Sequence, residues 1–388
     1  MSKSVEAVVA HFDYPVFLPK SETFIYHYIS HLQHFHPVCL SWAFANLDQF
    51  PVPKDDLCLL AQKKYTLKWL YYGMQRRYFT VDRAAEEVAT SFLRNHKACL
   101  IHAHFGTTGV LTLGLKKALD IPHITTFYGF DISQLARKDN WLRRYNVLFR
   151  EGDLFLVEGP HMKSNLEALG CPEQKIRIQR IAIPLDQIVF KPRMPKAKCA
   201  KTILIFAGRF MEKKGLLYAL RALKEVRANY RDFEFRIIGD GPLKNKIAQF
   251  ISTNHMQDYV RLLGFLDYSD YLKEMQEADI FLHPSVTSAD GDTEGGAPTT
   301  IVEAQAMGMP VISSYHADIP NIVVPGKSAL LSYERDWESL SRSVAYLLET
   351  PDVWERMGQA GRTFVETYHD IKKEAEALEA KYNLILQR

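Results

Sequence analysis

The sequence predicts an α/β protein made of two doubly wound parallel sheets, each a Rossmann-like domain. At 388 residues the chain is too long for one ordinary core, so two domains of roughly 190 residues are expected. Short β-rich runs alternate with helical patterns throughout, as in parallel sheets covered by helices. A proline- and lysine-rich stretch, Phe190 to Lys201, interrupts this alternation halfway along the chain.

The predicted strands fall into one group before that stretch and one after it. The first group is "EAVVAHF", "PVCLSWAF", "ACLIHAHFG", "HITTFYGFD", "LFLVEG" and "IRIQRIAI", and the second is "TILIFAGR", "EFRIIGDG", "VRLLGF", "IFLHPS" and "PVISS". We therefore expect one domain over 1–190, a second over 200–360 and a C-terminal helix over 361–388. Apolar residues recur every three or four positions from Phe364 to Ile385, which predicts one continuous buried stripe. Periodicity alone leaves open whether this stripe packs on its own domain or crosses back to the first.

Composition narrows the class of protein. A content of 47% hydrophobic and 24% charged residues is that of a soluble globular chain, and a net charge of +3 is too small to indicate nucleic acid as a partner. The five cysteines are scattered without metal-ligand spacing, which predicts reduced thiols and a cytoplasmic location. The N-terminal apolar run is short and contains Glu6, so we interpret it as a strand, and no stretch is apolar enough to span a membrane.

Glycine and basic residues directly follow two predicted strands of the second half. Gly208, Arg209 and Lys214 come after "TILIFA", and Gly239 and Gly241 come after "FRII". Ligands of doubly wound sheets bind beyond the carboxyl ends of the strands, and a diphosphate requires positive charge there. Taken singly, a "GDG" triplet is as often a plain turn and a lone basic residue a surface charge.

A third such segment, Ser288 to Val311, carries acids and glycines ahead of an apolar helical pattern. Pro298 suits the first helical turn, so the amides of Gly295, Gly296 and Ala297 precede a helix N-terminus, where anions bind. A sugar nucleotide fits this environment.

Two aspartates, Asp290 and Asp292, precede the same glycine turn. They could bind Mg²⁺ together with a diphosphate, or they could simply make the loop soluble. Two carboxylates without a third rarely complete a metal site, so no metal ligand is predicted.

These segments resemble the retaining family-4 glycosyltransferases, which have the GT-B fold, two Rossmann-like domains facing across a cleft. The resemblance is specific in "FAGRFMEKKGL", "IIGDGPLKNKI", "GFLDYSDYLKEMQEADIFLHPS" and "EGGAPTTIVEAQAMGMPVISS". It is looser in "SETFI", "HAHFG" and "TFYGFD", which are similar to bacterial members that build exopolysaccharide of the colanic-acid type or lipopolysaccharide. It implies that the first domain binds an acceptor and the second a nucleotide sugar.

The activity implied by the resemblance is transfer of a hexosyl group, with retention, from a nucleoside diphosphate sugar to a glycan or lipid-linked acceptor. A UDP-sugar is the favoured donor and a GDP-sugar the alternative, with no metal and no cofactor. Two rivals stay open, a nucleotide-sugar epimerase of the same fold and a non-catalytic sugar-nucleotide-binding protein.

The resemblance also implies roles for single residues of the second domain. Glu294 would face the donor sugar, Glu303 would bind the ribose hydroxyls, and Arg209 and Lys214 would hold the leaving diphosphate. The family has seven residues between its two glutamates and this chain has eight. Assigning the first role to Glu294 therefore assumes that the glycine turn absorbs one residue.

In the first domain the resemblance points to Tyr128 and Asp131 as catalytic or acceptor-contacting residues. Relatives often carry histidine at the position of Tyr128, whose ordinary pKa near 10 makes it a poor base at neutral pH. His104 either lines the cleft or is a satisfied structural histidine.

A basic and aromatic segment, Lys63 to Phe79, has two interpretations. It is either a helix with aromatic residues in the core, or a peripheral helix that contacts the anionic inner face of the cytoplasmic membrane and reaches a lipid-linked acceptor. The fold and the net charge disfavour nucleic acid.

Overall fold

The structure, a computed structural model, describes residues 7–19, 22–60, 83–197 and 200–387. The chain folds into two compact units. The first contains the residues up to Ala182 and those from Ile371 onward, and the second runs from Ile183 to Asp370. Each unit is a parallel sheet covered by helices.

The first unit contains a sheet of seven parallel strands in the order β3-β2-β1-β4-β5-β6-β7. The strands are β1 (Ala7–Phe12), β2 (Phe35–Ser41), β3 (Leu57–Leu59), β4 (Ala98–His104), β5 (His123–Thr126), β6 (Leu154–Val157) and β7 (Ile176–Ile178). The helices are α1 (Thr23–His31), α2 (Arg83–Asn95), α3 (Gly106–Leu119), α4 (Phe130–Ser133), α5 (Asp139–Glu151) and α6 (Pro160–Ala168).

The second unit contains a sheet of six parallel strands in the order β10-β9-β8-β11-β12-β13. The strands are β8 (Thr202–Ala207), β9 (Phe233–Ile238), β10 (Val260–Gly264), β11 (Ile280–Leu282), β12 (Val311–Ser314) and β13 (Ala329–Ser332). The helices are α7 (Leu216–Val226), α8 (Lys244–Thr253), α9 (Tyr268–Glu277), α10 (Thr299–Ala306), α11 (Trp337–Glu349) and α12 (Trp354–Tyr368).

Strand order reverses once in each sheet, and this reversal locates a candidate site. In the first unit the chain leaves β1 toward β2 on one side and returns to β4 on the other. In the second unit the chain leaves β8 toward β9 on one side and returns to β11 on the other. At such a point the two connections diverge and leave a crevice beyond the carboxyl ends of the strands, where ligands of doubly wound sheets bind.

The C-terminal region differs from the prediction of one continuous stripe. It forms two helices, α12 and α13 (Ile371–Leu386), which are interrupted at His369 and Asp370. His369 is buried, whereas Tyr368 is exposed and does not continue the apolar face. The buried face of α13 packs within the first unit against Val9 and Leu100, so the apolar periodicity was predicted correctly but its continuity was not.

Two further differences concern short or polar stretches. The edge strands β3 and β13 have no counterpart among the predicted strands, because an edge strand of three or four residues carries little periodic signal. The predicted break at Phe190 to Lys201 lies inside the second unit. Arg193 holds this stretch in place, because its buried guanidinium donates to the carbonyls of Met275, Ala278 and Met307.

Candidate active site

Arg209 and Lys214 follow β8 at the strand-order reversal of the second unit. Arg209 comes two residues after the strand and its side chain is exposed. Lys214 ends a short 3-10 turn, Glu212 to Lys214, and its ammonium group reaches the loop that follows β11. The structure thus places an exposed cation just after β8 and brings an enclosed cation, Lys214, to the loop that follows β11.

Glu294 is the partner of Lys214. Its Oε2 lies 2.7 Å from Lys214 Nζ, and its Oε1 accepts a hydrogen bond of 2.7 Å from Ser285 Oγ. His283 Nε2 lies 3.3 Å from the same Oε1. The side chain of Glu294 is only 4% exposed, so this carboxylate is enclosed by donors and by one positive charge.

The electrostatic environment keeps Glu294 ionised. Burial alone would raise the pKa of this carboxyl group, but the charge of Lys214 and the hydrogen bond from His283 outweigh it and hold the pKa well below its usual range. Burial lowers the pKa of His283, which is therefore neutral near pH 7. A fixed negative charge at the end of β11 can face a developing positive charge on a sugar ring.

The two aspartates of the loop are held by protein groups. Asp292 Oδ2 lies 3.0 Å from Lys213 Nζ, and Asp290 Oδ1 accepts from the amide of Asp292 at 3.1 Å. The adjacent lysines thus form ion pairs with different acids: Lys213 with Asp292, and Lys214 with Glu294. This arrangement is consistent with the prediction that the aspartates are not metal ligands, which stays a prediction.

Gly239 and Gly241 are required by the packing of two loops. Both have positive φ, and a Cβ atom on Gly239 would lie 2.0 Å from the carbonyl oxygen of Gly208. A Cβ atom on Gly241 would lie 2.8 Å from the amide nitrogen of Phe210. These glycines therefore shape the Gly208–Phe210 loop, and a direct contact with a nucleotide stays a prediction.

The glycine turn ahead of α10 is buried and partly bonded to its own loop. Gly295 has a φ of +76°, and its amide donates to the hydroxyl of Thr293 at 3.2 Å. Gly296 and Ala297 are buried just before the helix, and Pro298 is its N-cap residue. The sequence predicted that the amides of Gly295, Gly296 and Ala297 face an anion. The amide of Gly295 already donates to Thr293, so it does not fit this prediction.

Glu303, inside α10, is paired with two tyrosines of α9. Tyr271 donates its hydroxyl to Oε2 at 2.5 Å, and Tyr268 lies 3.4 Å from Oε1. Burial raises the pKa of Glu303 to about 7, against the lowering effect of these hydrogen bonds. Each oxygen of this carboxylate thus has a tyrosine hydroxyl beside it and keeps a further lone pair with which it can accept.

In the first unit, Asp131 accepts backbone hydrogen bonds. Its Oδ2 accepts from the amide of Gly106 at 2.8 Å, and its Oδ1 accepts from the amides of Tyr128 and Gly129 at 3.1 and 3.0 Å. Burial raises the pKa of Asp131 to about 6, although these amides oppose the shift. The side chain is fully buried, and this geometry favours a positioning role over the acceptor contact expected from the sequence.

Tyr128 hydrogen-bonds to His104 in a cluster where the rings of His11, His102 and His104 pack against one another. Tyr128 Oη lies 2.8 Å from His104 Nδ1, and His104 Nε2 lies 3.1 Å from His11 Nδ1. His102 contacts the hydroxyls of Tyr382 and Thr126 at 2.6 and 2.7 Å. Burial lowers the pKa values of the three histidines and raises the pKa of Tyr128 well above its usual range.

The three histidines are close enough to bind a metal ion, with candidate ligand atoms within 4.8 Å of one another. Every ring nitrogen of the three except His11 Nε2 already has a hydrogen-bond partner in the protein. Metal binding would have to break several of these bonds, so the cluster is better described as a hydrogen-bonded network.

Asp13 lies just beyond the carboxyl end of β1, beside this network. Its carboxyl group is 1% exposed and faces that of Glu22, the N-cap residue of α1. Burial and the proximity of Glu22 raise the pKa of Asp13 well above its usual range, and burial also raises the pKa of Glu22. Both shifts favour the protonated forms of these carboxyl groups.

Sequence reasoning missed His283, Ser285, His316, Tyr271 and Asp13. His283 and Ser285 are part of the quoted run "IFLHPS", and His316 comes two residues after "PVISS", so the strand-end criterion applied to Arg209 would have included them. Asp13 follows the first predicted strand in the same way. For Tyr271, inside α9, the sequence carries no comparable signal.

Two predictions concern membranes. In the described part of the chain, no helix has both the length and the apolar character needed to cross a bilayer. The segment Lys63 to Phe79 lies outside the described residues, so its two interpretations stay predictions.

Two family descriptions match this chain, one in each half. Residues 52–187 match "Glycosyltransferase Family 4", and residues 191–364 match "Glycosyl transferases group 1". The second match contains Arg209, Lys214, Glu294 and Glu303.

Three curated relatives have names that refer to bacterial polysaccharide biosynthesis. Proteins of Escherichia coli K12 and Salmonella typhimurium LT2, both named "Putative colanic acid biosynthesis glycosyltransferase WcaL", are 35% and 33% identical over 71% and 72% of this chain. The "Amylovoran biosynthesis glycosyltransferase AmsK" of Erwinia amylovora is 35% identical over 61% of it. The matched region spans 66%, 68% and 58% of these relatives, so the chain covers about two thirds of their length or less.

Solved structures share the fold at low identity. Anabaena Alr3699/HepE in complex with UDP and glucose has a TM-score of 0.77 at 14% identity, covering 97% of this chain and 99% of that one. The lipopolysaccharide outer core galactosyltransferase WaaB has a TM-score of 0.71 at 13% identity, with the same coverage. Together with the two parallel sheets, these likenesses confirm the predicted α/β fold of the GT-B type. Since the family descriptions cover both halves and a relative 33% identical is matched over 68% of its own length, this chain belongs to the group-1, family-4 glycosyltransferases.

Proposed function

We propose that this protein transfers a sugar from a nucleoside diphosphate sugar to a glycan or lipid-linked acceptor in cell-surface polysaccharide biosynthesis. The observation that carries the proposal is the enclosed pair of Lys214 and Glu294 at the strand-order reversal of the second unit, where the exposed Arg209 also follows β8. A cation and a carboxylate at this point match the two charges that separate when a glycosyl–phosphate bond breaks. The family membership supports the same reaction class.

The chemistry assigns a separate task to each group. Arg209 and Lys214 stabilise the negative charge that develops on the leaving diphosphate. Glu294, kept ionised by Lys214, faces the positive charge that develops on the sugar ring. Glu303 accepts hydrogen bonds from the ribose hydroxyls, since one carboxylate can bind two hydroxyls at once. Retention follows if the departing phosphate takes the proton of an acceptor that attacks from the same face.

UDP is the favoured nucleotide, and a GDP-sugar is the alternative. The preference for UDP is supported by the complex of the Anabaena protein of similar fold with UDP and glucose. We would test a panel of UDP- and GDP-sugars for an increase in melting temperature, because a ligand that binds only the native state raises it. The stabilising donor is then incubated with glycan and lipid-linked acceptors. Epimerised donor without transfer would indicate the epimerase, and binding without any turnover the non-catalytic protein.

Steady-state kinetics of three carboxylate variants test the roles within the site. Glu294→Gln should lower kcat with little change in donor KM, since the interaction acts mainly in the transition state. Glu303→Gln should mainly raise donor KM. Asp292→Asn, at the neighbouring ion pair, is the matched control and should have the smallest effect. Near-normal turnover in Glu294→Gln together with its loss in Asp292→Asn would refute the register we assign.

We also propose that the reaction needs no metal, because Arg209 and Lys214 provide the donors and positive charge that a diphosphate requires. Transfer should therefore continue in EDTA. Loss of transfer on chelation and its recovery with Mg²⁺ or Mn²⁺ would contradict this part of the proposal.

A lipid-linked acceptor requires access to a membrane surface. We propose that Lys63 to Phe79 attaches weakly to anionic lipid, since each Lys or Arg near such a surface contributes on the order of 1 kcal/mol. Replacement of Lys63, Lys64, Arg76 and Arg77 by glutamine should release the protein from anionic vesicles at low salt. If the unaltered protein does not bind these vesicles, the attachment is refuted.

A further inference from the structure

We infer that His316 and Glu334 are positioning residues that hold Glu294 in its register by binding its backbone amide. This inference deepens the proposed function, because it rests on Glu294 as the carboxylate that faces the donor sugar. It explains how a chain with one extra residue between Glu294 and Glu303 keeps the carboxylate against Lys214.

The contact between His316 and Glu294 is made to the main chain. The amide of Glu294 donates to His316 Nε2 at 3.0 Å, and the imidazole is 2% exposed. His316 Nδ1 lies 2.6 Å from Glu334 Oε1. Since Nε2 accepts a hydrogen bond, Nδ1 carries the proton and donates it to the carboxylate, which fixes the tautomer of the ring.

Glu334 is itself fixed by the loop that follows β11. Its Oε2 accepts from the amide of Thr287 at 2.7 Å, and its Oε1 accepts from the hydroxyl of Thr287 at 3.1 Å. His316 follows β12 and Glu334 follows β13, so the two residues tie the loops of three neighbouring strands together. The Glu294 loop is thus bound at Thr287, before the acid-rich turn, and again at Glu294.

Glu294 needs such an anchor because its local backbone is glycine-rich. Gly291 and Gly295, on either side of it, both have positive φ, a conformation that glycine adopts at little cost and leaves as easily. Shifting the chain by one residue would place Gly295 opposite Lys214 and remove the carboxylate. The hydrogen bond to His316 is made by the amide of Glu294. It therefore fixes which residue of this turn places its side chain against Lys214.

The two ring nitrogens have different tasks, and two variants can separate them. A glutamine at this position places its amide oxygen near the position of Nε2, so His316→Gln keeps an acceptor for the Glu294 amide. An asparagine places its amide nitrogen near the position of Nδ1, so His316→Asn keeps the bond to Glu334 and loses the one to Glu294. A residue that only filled space or only held Glu334 would tolerate asparagine at least as well as glutamine.

The kinetic test compares these variants with the unaltered protein. We expect His316→Asn to lower kcat by about tenfold to a hundredfold, since a carboxylate misplaced by about 1 Å can cost that much. Donor KM should stay within about twofold, and His316→Gln should recover kcat to within about threefold of the unaltered protein. Glu334→Leu should resemble His316→Asn, because it removes the acceptor for Nδ1 and the bonds to Thr287 together. Equal kcat values in the two His316 variants would overturn the inference.

A second measurement does not require activity and separates this inference from the proposed function. Hydrogen–deuterium exchange at the Glu294 amide should be about fivefold faster in His316→Asn than in His316→Gln, as expected for the loss of one hydrogen bond. The difference in exchange can be present although neither the unaltered protein nor any variant transfers sugar. In that case the proposed function is refuted, and the anchoring of Glu294 by His316 is supported. Equal exchange in the two variants overturns the anchoring whatever the activity.

Discussion

Replacement of Lys214 by methionine should destabilise the second unit, because it leaves Glu294 as an uncompensated buried carboxylate. Methionine keeps most of the length of the side chain and removes the charge. The side chains of Lys214 and Glu294 are 17% and 4% exposed, so the pair is largely shielded from water. Removing one partner of a buried ion pair costs about 3–5 kcal/mol.

The lower end of that range applies here. Ser285 still donates to Glu294 at 2.7 Å, and the carboxylate can relieve part of the cost by taking up a proton. A loss of about 3 kcal/mol in the free energy of unfolding corresponds to a fall in melting temperature of about 6–12 °C for a domain of this size. The double variant Lys214→Met/Glu294→Leu should recover most of the loss, since replacing both charges by apolar groups is often close to neutral.

The effect should depend on pH in one direction. The folded state holds the pKa of Glu294 below its usual range, so the pair contributes its full stability above the ordinary carboxyl pKa. This contribution is lost as pH falls through the lowered pKa. The difference in melting temperature between the unaltered protein and Lys214→Met should therefore be largest near neutral pH and should narrow on acidification.

The assay is thermal unfolding followed by circular dichroism from acid to neutral pH. Lys224→Met is the matched control, since Lys224 makes an exposed hydrogen bond to Asn254 and should change stability by less than about 0.5 kcal/mol. If Lys214→Met melts within about 2 °C of the unaltered protein at neutral pH, the pair gives no net stabilisation and the reasoning is wrong.

Three further predictions address other charged groups. Arg209→Ala should weaken nucleoside-diphosphate binding by about tenfold or more, with an unchanged melting temperature because the side chain is exposed; unchanged affinity in isothermal titration would remove Arg209 from the site. We propose that Glu303 binds the ribose as a carboxylate, and burial raises its pKa to about 7; nucleotide affinity should therefore increase as pH rises through 7, and Glu303→Gln should abolish that dependence. Asp13→Asn should raise the melting temperature at neutral pH and lose this advantage in acid, because a carboxyl group with a raised pKa destabilises the fold as pH rises toward that pKa; a lower melting temperature at neutral pH would contradict the raised pKa of Asp13.

The sequence by itself determined the fold class and the edge of the second sheet that carries the candidate site. Strands and helices are local patterns, and parallel connection places all carboxyl ends of a sheet at one edge. It therefore followed from sequence that Arg209, Lys214 and the loop of Glu294 lie near one another. The family resemblance to glycosyltransferases, confirmed by the comparisons, also rested on contiguous segments of the chain.

Only the tertiary structure decided which groups pair within that edge. Lys213 and Lys214 are adjacent in sequence, and Asp292 and Glu294 are two residues apart. Even so, Lys213 pairs with Asp292 and Lys214 pairs with Glu294. The choice depends on the path of a glycine-rich loop, in which the amide of Glu294 donates to His316 from another strand end.

In the first unit, too, the sequence located candidate residues but did not show which groups they contact. Asp131 was placed in the right turn by its segment, but its burial and its three backbone amides depend on how α3 and the turn after β5 meet. The pairing of Asp13 with Glu22 likewise depends on where the N-terminus of α1 meets the end of β1. Periodicity and motif spacing record which residues share an element, whereas hydrogen-bond partners and pKa shifts arise from groups that approach one another only after the elements have packed.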